Sequence, residues 1–196
     1  MPAPALAAPP VPRLPEGVEV VVFDTETTGC TGDDRVVSLG AVRLDAALEP
    51  VATLHLVFAP GRRCHPGAAR VHGMSDRFLA RQPPFAAHAR EVAAFFAGAV
   101  GCAHNLSFDR RMLGGEFDRL GLRSPWQGEY CTLRAWRRHR PGGSAGLAAA
   151  SAAIGLSRED ALHGALEDAG LATQLLRVMH GLPVGPMRLH DPTNLR

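Results

Sequence analysis

The sequence contains no lysine: its 21 Lys and Arg positions are all arginine, against 19 acidic residues. This bias could reflect phosphate recognition, but a general compositional preference accounts for it without any binding site. The formal net charge of +2 is too small to predict a nucleic-acid partner by itself. Charge therefore permits such a partner without identifying one.

The sequence also has no apolar run long enough to cross a bilayer, and its N-terminus lacks the continuous apolar core of a signal peptide. We therefore expect a cytoplasmic protein with no membrane partner. Cysteine is scarce too, and the absence of a C-x-x-C pair argues against a disulfide framework or a zinc ribbon. The cysteines are Cys30, Cys64, Cys102 and Cys131.

The length of 196 residues and the 46% apolar content are typical of one globular domain with a sizeable core. Residues 1–17 contain six prolines among alanines, which predicts a disordered leader because this composition buries too little apolar surface to offset ordering. The folded domain is predicted to span residues 18–182, and residues 183–196 form a short C-terminal tail.

Five short apolar segments predict strands. Residues 18–23 are mostly apolar and rich in valine, which is typical of a central strand that is covered on both faces. Apolar and polar positions alternate in residues 37–41 and 52–58, so that two further strands complete a meander. Shorter runs at 99–103 and 129–132 predict a fourth and a fifth strand.

Helical spacing of apolar residues replaces this alternation in the rest of the domain. Val92 and Phe96 share one helical face, and residues 108–120 repeat the pattern. Later helices are predicted over residues 147–154 and 162–179. The alternation of strands and helices predicts the α/β class.

Two carboxylates, Asp24 and Glu26, directly follow the predicted central strand. The carboxyl end of a strand is where α/β proteins usually place ligands. Residues i and i+2 of an extended chain project to one side, so that both side chains can converge on a cation. About two acidic pairs with this spacing are expected by chance in such a chain, so the position after the strand carries the argument.

Asp109 and Asp168 are the next candidates. Asp109 lies at the start of a predicted helix, where the helix dipole alone would favour an acid. Asp168 shares a helical face with Leu171 and Leu175, where an unpaired carboxylate would be costly to bury. Asp168 therefore needs a cation, a hydrogen-bond partner or a raised pKa.

His163 precedes Asp168 by five residues. A surface histidine would explain this residue on its own, and its importance comes from the conjunction with the acids. Because a neutral imidazole with a pKa of about 6.5 can take a proton from water near physiological pH, His163 is the candidate general base.

Four carboxylates in one cleft repel each other unless cations offset their charge. Oxygen ligands without cysteine favour hard ions, and we therefore expect two divalent cations, Mg²⁺ or Mn²⁺. Two such ions about 3.5 to 4 Å apart can clamp a phosphodiester, so this charge pattern predicts phosphodiester hydrolysis.

Three segments in order resemble the motifs of the DEDDh (DnaQ-like) exonucleases, most closely the epsilon-subunit-like branch of DNA polymerase III. The first is Asp24–Gly29, the second His104–Asp109 and the third His163–Asp168. The resemblance extends over about Val18 to His180. It implies a ribonuclease-H-like fold, in which a mixed five-stranded sheet is flanked by helices.

The resemblance also implies roles for individual residues. The two metal ions would be held by Asp24, Glu26, Asp109 and Asp168. Asp24 would bridge both ions, and His163 would act as general base. The groove for the substrate would be lined by Thr27, His72, Asn105 and Phe108. Phe108 could equally belong to the core, and Ser75, after the segment of His72, could simply cap a helix.

The implied activity is a 3′–5′ exonuclease that releases nucleoside monophosphates from single-stranded or frayed DNA, in proofreading or repair. Two alternatives remain open: an exoribonuclease that acts on short RNA, and a non-catalytic module that binds nucleic acid or docks to a polymerase. The residues after the domain contain no convincing polymerase-binding motif, so association with a DNA polymerase is open but unsupported.

Overall fold

The computed structural model describes residues 11–159 and 162–185. Its strands are β1 (Val20–Thr27), β2 (Val36–Leu44), β3 (Pro50–Val57), β4 (Val100–Ala103) and β5 (Gly128–Cys131). Its helices are α1 (Pro66–His72), α2 (Asp76–Leu79), α3 (Phe85–Phe96), α4 (Leu106–Asp118), α5 (Thr132–His139), α6 (Leu147–Ala152) and α7 (Ala165–Met179). No helix among these residues combines the length and apolar character needed to cross a membrane.

The proposed leader and tail fall largely outside the described residues, which exclude 1–10 and 186–196. Within the described part of the leader, Val11 and Leu14 are partly buried and pack against the apolar core.

The described strands form one mixed five-stranded sheet in the order β3-β2-β1-β4-β5. β1 pairs antiparallel with β2 and parallel with β4. The meander predicted from the first three apolar segments is confirmed, as are the two shorter strands, which add to the other side of β1. This arrangement makes β1 the central strand.

One sequence prediction about β1 is wrong: Asp24 and Glu26 do not follow the strand but form part of it. The antiparallel ladder continues past the apolar segment, with Asp24 opposite Gly40 and Glu26 opposite Ser38. The register shifts only after Glu26. Backbone pairing with β2, which is independent of side-chain polarity, extends the strand beyond its apolar residues.

The prediction for the last helix also needs correction, because α7 begins at Ala165 and not at residue 162. Gly164 has an extended backbone at the helix N-cap, and the N–H of His163 donates to the carbonyl of Val71 at 2.9 Å. This bond to α1 holds His163 outside the helix. The short α1 and the helix α5 were not predicted from the sequence.

The core occupies both faces of the sheet. Val20 and Val22 face one cluster, which includes the buried side of α7, whereas Val21 and Phe23 face another, which includes α3 and α4. Because successive side chains of a strand point to opposite faces, Asp24 shares the face of α7 and Thr25 that of α4. β1 therefore presents different groups to the two helices.

A buried ion pair fixes α4 to the sheet. Arg35 donates two hydrogen bonds to the carboxylate of Glu116, at 2.7 and 2.8 Å, and the N–H of Val36 donates a third at 3.1 Å. Glu116 is only 1% exposed. Because charge-assisted bidentate bonds are directional, this pair defines how α4 lies against the start of β2.

The first turn of α7 packs directly on the backbone of β2 at Gly40. A Cβ atom on Gly40 would lie 2.1 Å from the backbone nitrogen of Leu166 and 2.2 Å from the carbonyl carbon of Ala165. Real Cβ atoms do not approach backbone atoms so closely. Glycine is therefore required at this position for α7 to reach the sheet.

We predict that Gly40→Ala lowers the stability by about 3 kcal/mol, because helix or strand must shift to accommodate the methyl group. The expected fall in Tm is roughly 6 to 12 °C for a chain of this size. Gly32→Ala is the matched control, since an added Cβ there meets no heavy atom within 4 Å. Equal melting temperatures for the two variants in a thermal scan would contradict the packing described.

Candidate active site

The carboxylates of β1 lie at the carboxyl-terminal half of the central strand. Glu26 is buried and Asp24 is partly exposed. Their i, i+2 spacing puts both on the face of the sheet that α7 covers. The convergence expected for an acid pair on one strand is thus present.

Asp109 reaches the same region from the first turn of α4. Its Oδ1 accepts hydrogen bonds from the backbone N–H of Thr25 at 3.0 Å and from the Thr25 hydroxyl at 2.8 Å. Asp109 is 3% exposed. Thr25, the strand residue between Asp24 and Glu26, points toward α4 and thereby holds this carboxylate beside β1.

Asp168 comes from the first turn of α7 and is held by Arg158, a residue of the loop before that helix. Arg158 donates to the two carboxylate oxygens of Asp168, at 2.5 Å from Nε and 2.7 Å from Nη2. The Nδ1 atom of His163 lies 3.6 Å from Asp168 Oδ2. Three possible metal-ligand atoms lie within 4.8 Å of one another, one each from Glu26, His163 and Asp168.

The cluster raises the pKa values of three carboxyl groups. Burial is the main cause for each, followed for Asp24 and Glu26 by repulsion from neighbouring carboxylates. The pKa of Asp24 lies well above its usual value, and that of Glu26 rises to about 8. Burial raises the pKa of Asp109 to about 7, although the bonds from Thr25 oppose the shift. The positive charge of Arg158 lowers the pKa values of Asp24 and Glu26 but does not outweigh burial and repulsion.

The imidazole of His163 is suited to remain neutral near pH 7. Burial lowers its pKa, the positive charge of Arg158 lowers it further, and only Asp168 opposes the shift. Its side chain is nevertheless 41% exposed. His163 can therefore accept a proton from a group that reaches the site from solvent.

Thr27 and His72 lie near the end of β1 and are both buried. The Thr27 hydroxyl donates to the carbonyl of Gly29 at 2.6 Å. His72 accepts from the N–H of Met74, while its buried Nε2 finds no partner in good hydrogen-bonding geometry among the described residues. Burial lowers the pKa of His72, although a contact with the backbone of Thr27 opposes this.

Asn105 and Phe108 belong to the start of α4. Asn105 is exposed and adopts a left-handed backbone with φ of 72°. Phe108 packs partly against the core, but the guanidinium of Arg111 lies 5.5 Å from its ring centroid. The contacts of Phe108 with the core fit the core interpretation, and its place in the substrate groove stays a prediction. Ser75 does cap α2, accepting from the N–H of Phe78.

Arg158, Thr25 and His104 were missed in the sequence. One arginine among 21 carries no signal, and the role of Thr25 depends on a helix that is 84 positions away. His104 links the end of β4 to later segments, with its ring nitrogens 3.0 Å from the Thr132 hydroxyl and 2.8 Å from the Ala145 carbonyl. A motif pattern alone does not distinguish this positioning histidine from His163.

Comparison with known proteins identifies the family. Residues 21–176 match the family model described as exonuclease (RNase_T). The DNA polymerase III epsilon subunit of Escherichia coli strain K12 is 31% identical over 172 residues, which cover 82% of this chain and 71% of that protein. The epsilon subunit of Haemophilus influenzae is also 31% identical, with 82% and 67% covered.

Solved structures share the fold. Exonuclease X, in complex with 5′-overhanging duplex DNA, matches with a TM-score of 0.64 at 25% identity, covering 84% of this chain and 91% of that one. E. coli Exonuclease I, with a bound dT13 oligonucleotide, matches with a TM-score of 0.71 at 20% identity. The match covers 82% of this chain but only 40% of Exonuclease I. The sheet and its helices are thus ribonuclease-H-like, and the chain belongs to the exonuclease family as a DnaQ-like 3′–5′ exonuclease.

Proposed function

We propose that the protein removes nucleoside monophosphates one at a time from the 3′ end of single-stranded or frayed DNA, in proofreading or repair. The observation that carries the proposal is the convergence of Asp24, Glu26, Asp109 and Asp168 beside His163. These residues come from one strand, two helices and a loop, and their carboxyl groups raise each other's proton affinity.

The donor set fits two divalent cations. The ligands are carboxylate oxygens with one imidazole nearby, which suits Mg²⁺ or Mn²⁺. Burial and repulsion between neighbouring carboxylates raise the pKa values of Asp24, Glu26 and Asp109, and bound cations would favour the ionised forms of these groups. Arg158 already neutralises Asp168 as its positively charged partner, which further supports the binding of a cation at this carboxylate.

When bound, the cations would stabilise negative charge on the scissile phosphodiester and on the attacking and leaving oxygens. The chain's own groups then have separate roles. Asp24 and Glu26 hold the centre of the site on a rigid strand, and Thr25 orients Asp109. The neutral His163 takes the proton of the attacking water. Thr27, His72, Asn105 and Phe108 would contact the terminal nucleotides.

DNA is the favoured substrate because Exonuclease X and Exonuclease I were solved with DNA, and because epsilon subunits belong to a DNA polymerase. The carboxylate cluster does not distinguish the sugars. Digestion of matched DNA and RNA oligonucleotides therefore tests the preference, and faster release from RNA would replace DNA with short RNA as the substrate. Association with a DNA polymerase stays an open proposal.

We predict that Asp24→Asn lowers kcat roughly a thousandfold, since several kcal/mol of transition-state stabilisation would be lost with a cation. His163→Ala should lower kcat by about 10²- to 10⁴-fold through loss of the general base. The measurement is the rate at which 5′-labelled DNA is shortened, one nucleotide at a time, with Mg²⁺. Asp118→Asn changes an exposed acid of α4 and serves as control. Wild-type rates in both site variants would refute the assignment.

We predict that the metal-free protein loses thermal stability as the pH rises from about 6.5 to 8. In this window the folded carboxyls with raised pKa values still bind protons that the unfolded chain has released, so the unfolded state is favoured as they ionise. His72 and His104 have lowered pKa values and are neutral in the folded state, whereas unfolded histidines, with a pKa of about 6.5, still lose protons at the lower end of this window and oppose the trend there. The loss of stability should therefore be steepest above about pH 7.

Mg²⁺ or Mn²⁺ should raise Tm most at the upper end of this pH range, where the carboxylates are ionised and the folded state binds the ions preferentially. Asp24→Asn should flatten the pH dependence, because one of the shifted groups is removed. Melting temperatures that rise with pH, or that do not respond to either ion, would contradict the prediction.

We predict that Arg158→Gln destabilises the metal-free protein by about 2 kcal/mol, because Asp168 loses the partner that offsets its buried charge. This corresponds to roughly 4 to 8 °C in Tm. The same variant should bind Mn²⁺ about tenfold more tightly by calorimetry, since the ion no longer competes with the guanidinium. Arg90→Gln, on the exposed side of α3, is the control. Unchanged melting and unchanged Mn²⁺ affinity would show that the ion pair has no such role.

A further inference from the structure

A cavity of about 460 Å³ opens at the carboxyl ends of β4 and β5. It is bounded by the start of α4, by Glu129 and Cys131 of β5, and by one side of α5. Leu106 lines it, and Asp109 lies only three residues further along α4, about 4.5 Å along the helix axis. The cavity is therefore a neighbour of the carboxylate cluster.

The lining of this cavity is basic. Arg134 and Arg137 are exposed and lie three residues apart on one face of α5, and Arg110 approaches from α4. Glu129 is the acid in the lining, and its carboxylate lies 3.6 Å from Arg110. Among the described residues, no carboxylate lies within salt-bridge distance of Arg134 or Arg137. Two positive charges are thus left in excess.

Backbone donors add to this positive character. The backbone N–H groups of Arg134, Leu106 and Asn105, together with the side chain of Arg134, lie near the thiol of Cys131 and favour its ionised form. Burial alone would raise the pKa of this thiol, but these donors reverse the effect and lower it. The backbone around Cys131 therefore adds to the effect of Arg134 in stabilising negative charge at this side of the cavity.

We propose that this arginine-lined cavity holds phosphate groups of the nucleic-acid strand upstream of its 3′-terminal nucleotide. The inference rests on the proposed function, because it requires a 3′ end at the carboxylate cluster. The carboxyl groups of that cluster offer a phosphodiester strand no attraction until cations are bound. Arg134 and Arg137 supply this attraction in the neighbouring cavity, whose lining also includes the exposed Asn105.

The test is strand binding without turnover, in an Asp24→Asn background of the full chain with Mg²⁺. Binding of a labelled single strand of about 12 nucleotides is followed by fluorescence anisotropy, since sites on single strands span roughly 4 to 16 nucleotides. Arg134→Gln with Arg137→Gln should raise Kd about tenfold. The salt dependence should weaken by about 1.4 in log–log slope, because each phosphate contact contributes about 0.7.

Strand length locates the contacts. A dinucleotide has only the scissile phosphodiester, so its affinity should be nearly the same in the double variant and in the parent. Equal losses for the dinucleotide and the longer strand would overturn the proposal, because they would put the arginines at the terminal nucleotide. Unchanged binding of the longer strand would overturn it as well.

A second variant changes affinity in the opposite direction. Glu129→Gln removes the acid from the cavity lining and should lower the Kd of the longer strand about threefold; weaker or equal binding would count against the proposal. Arg81→Gln with Arg90→Gln removes two exposed arginines at and beside α3, which does not line the cavity, and should leave Kd unchanged.

The binding assay is separable from catalysis. A wild-type protein that releases no mononucleotides would refute the proposed function, while the anisotropy comparison would still decide whether the cavity binds upstream phosphates. Conversely, an active enzyme whose double variant binds the longer strand normally would refute the cavity and leave the catalytic assignment intact.

Discussion

The backbone of α7 touches the backbone of β2 at Gly40, and the position of half the active site follows from this contact. Gly40 pairs with Asp24 in the ladder between β1 and β2. A helix that lies directly on this residue must present its first turn to the carboxylates of β1. Asp168 and His163 therefore reach Glu26 within a few ångströms because nothing larger than hydrogen separates helix and strand.

The other half of the site is positioned from the opposite face of the sheet. The ion pair of Arg35 with Glu116 fixes α4, and Thr25 then binds Asp109 through both its backbone and its hydroxyl. The strand that supplies Asp24 and Glu26 thus also orients a third acid through the residue between them. Two layers of helices converge on one strand, which is why a small domain can assemble so much charge at one point.

Charge decides how the site and its surroundings divide their roles. The carboxylates destabilise each other, and Arg158 offsets only part of their charge in the absence of divalent ions. A nucleic-acid strand would be repelled by such a cluster unless positive groups lie nearby. Arg134 and Arg137 lie on α5 and not among the carboxylates. Positively charged side chains can therefore face the substrate without pairing with the carboxylate cluster.

Much of this could be predicted from the sequence. Hydrophobic periodicity predicted the five strands and, among the helices, α3, α4, α6 and α7, because burial on one or both faces leaves a repeating pattern. Backbone pairing and helix capping leave weaker patterns in the sequence. The predicted end of β1 therefore fell before Asp24, and the predicted start of α7 fell before His163. The helix α5 was missed since its apolar residues are few and its exposed face is arginine-rich.

The acidic motifs and their order in the sequence identified the family. They also predicted the chemistry and the residues proposed to perform it, because a given reaction requires particular types of side chain. Only the tertiary structure could decide the roles of Gly40, Thr25 and Arg158. Thr25 and Arg158 each act through a hydrogen-bond partner elsewhere in the sequence, and Gly40 acts by leaving room for the backbone of α7. A local pattern of residues encodes neither which side chains come close together nor how much room is left between two elements.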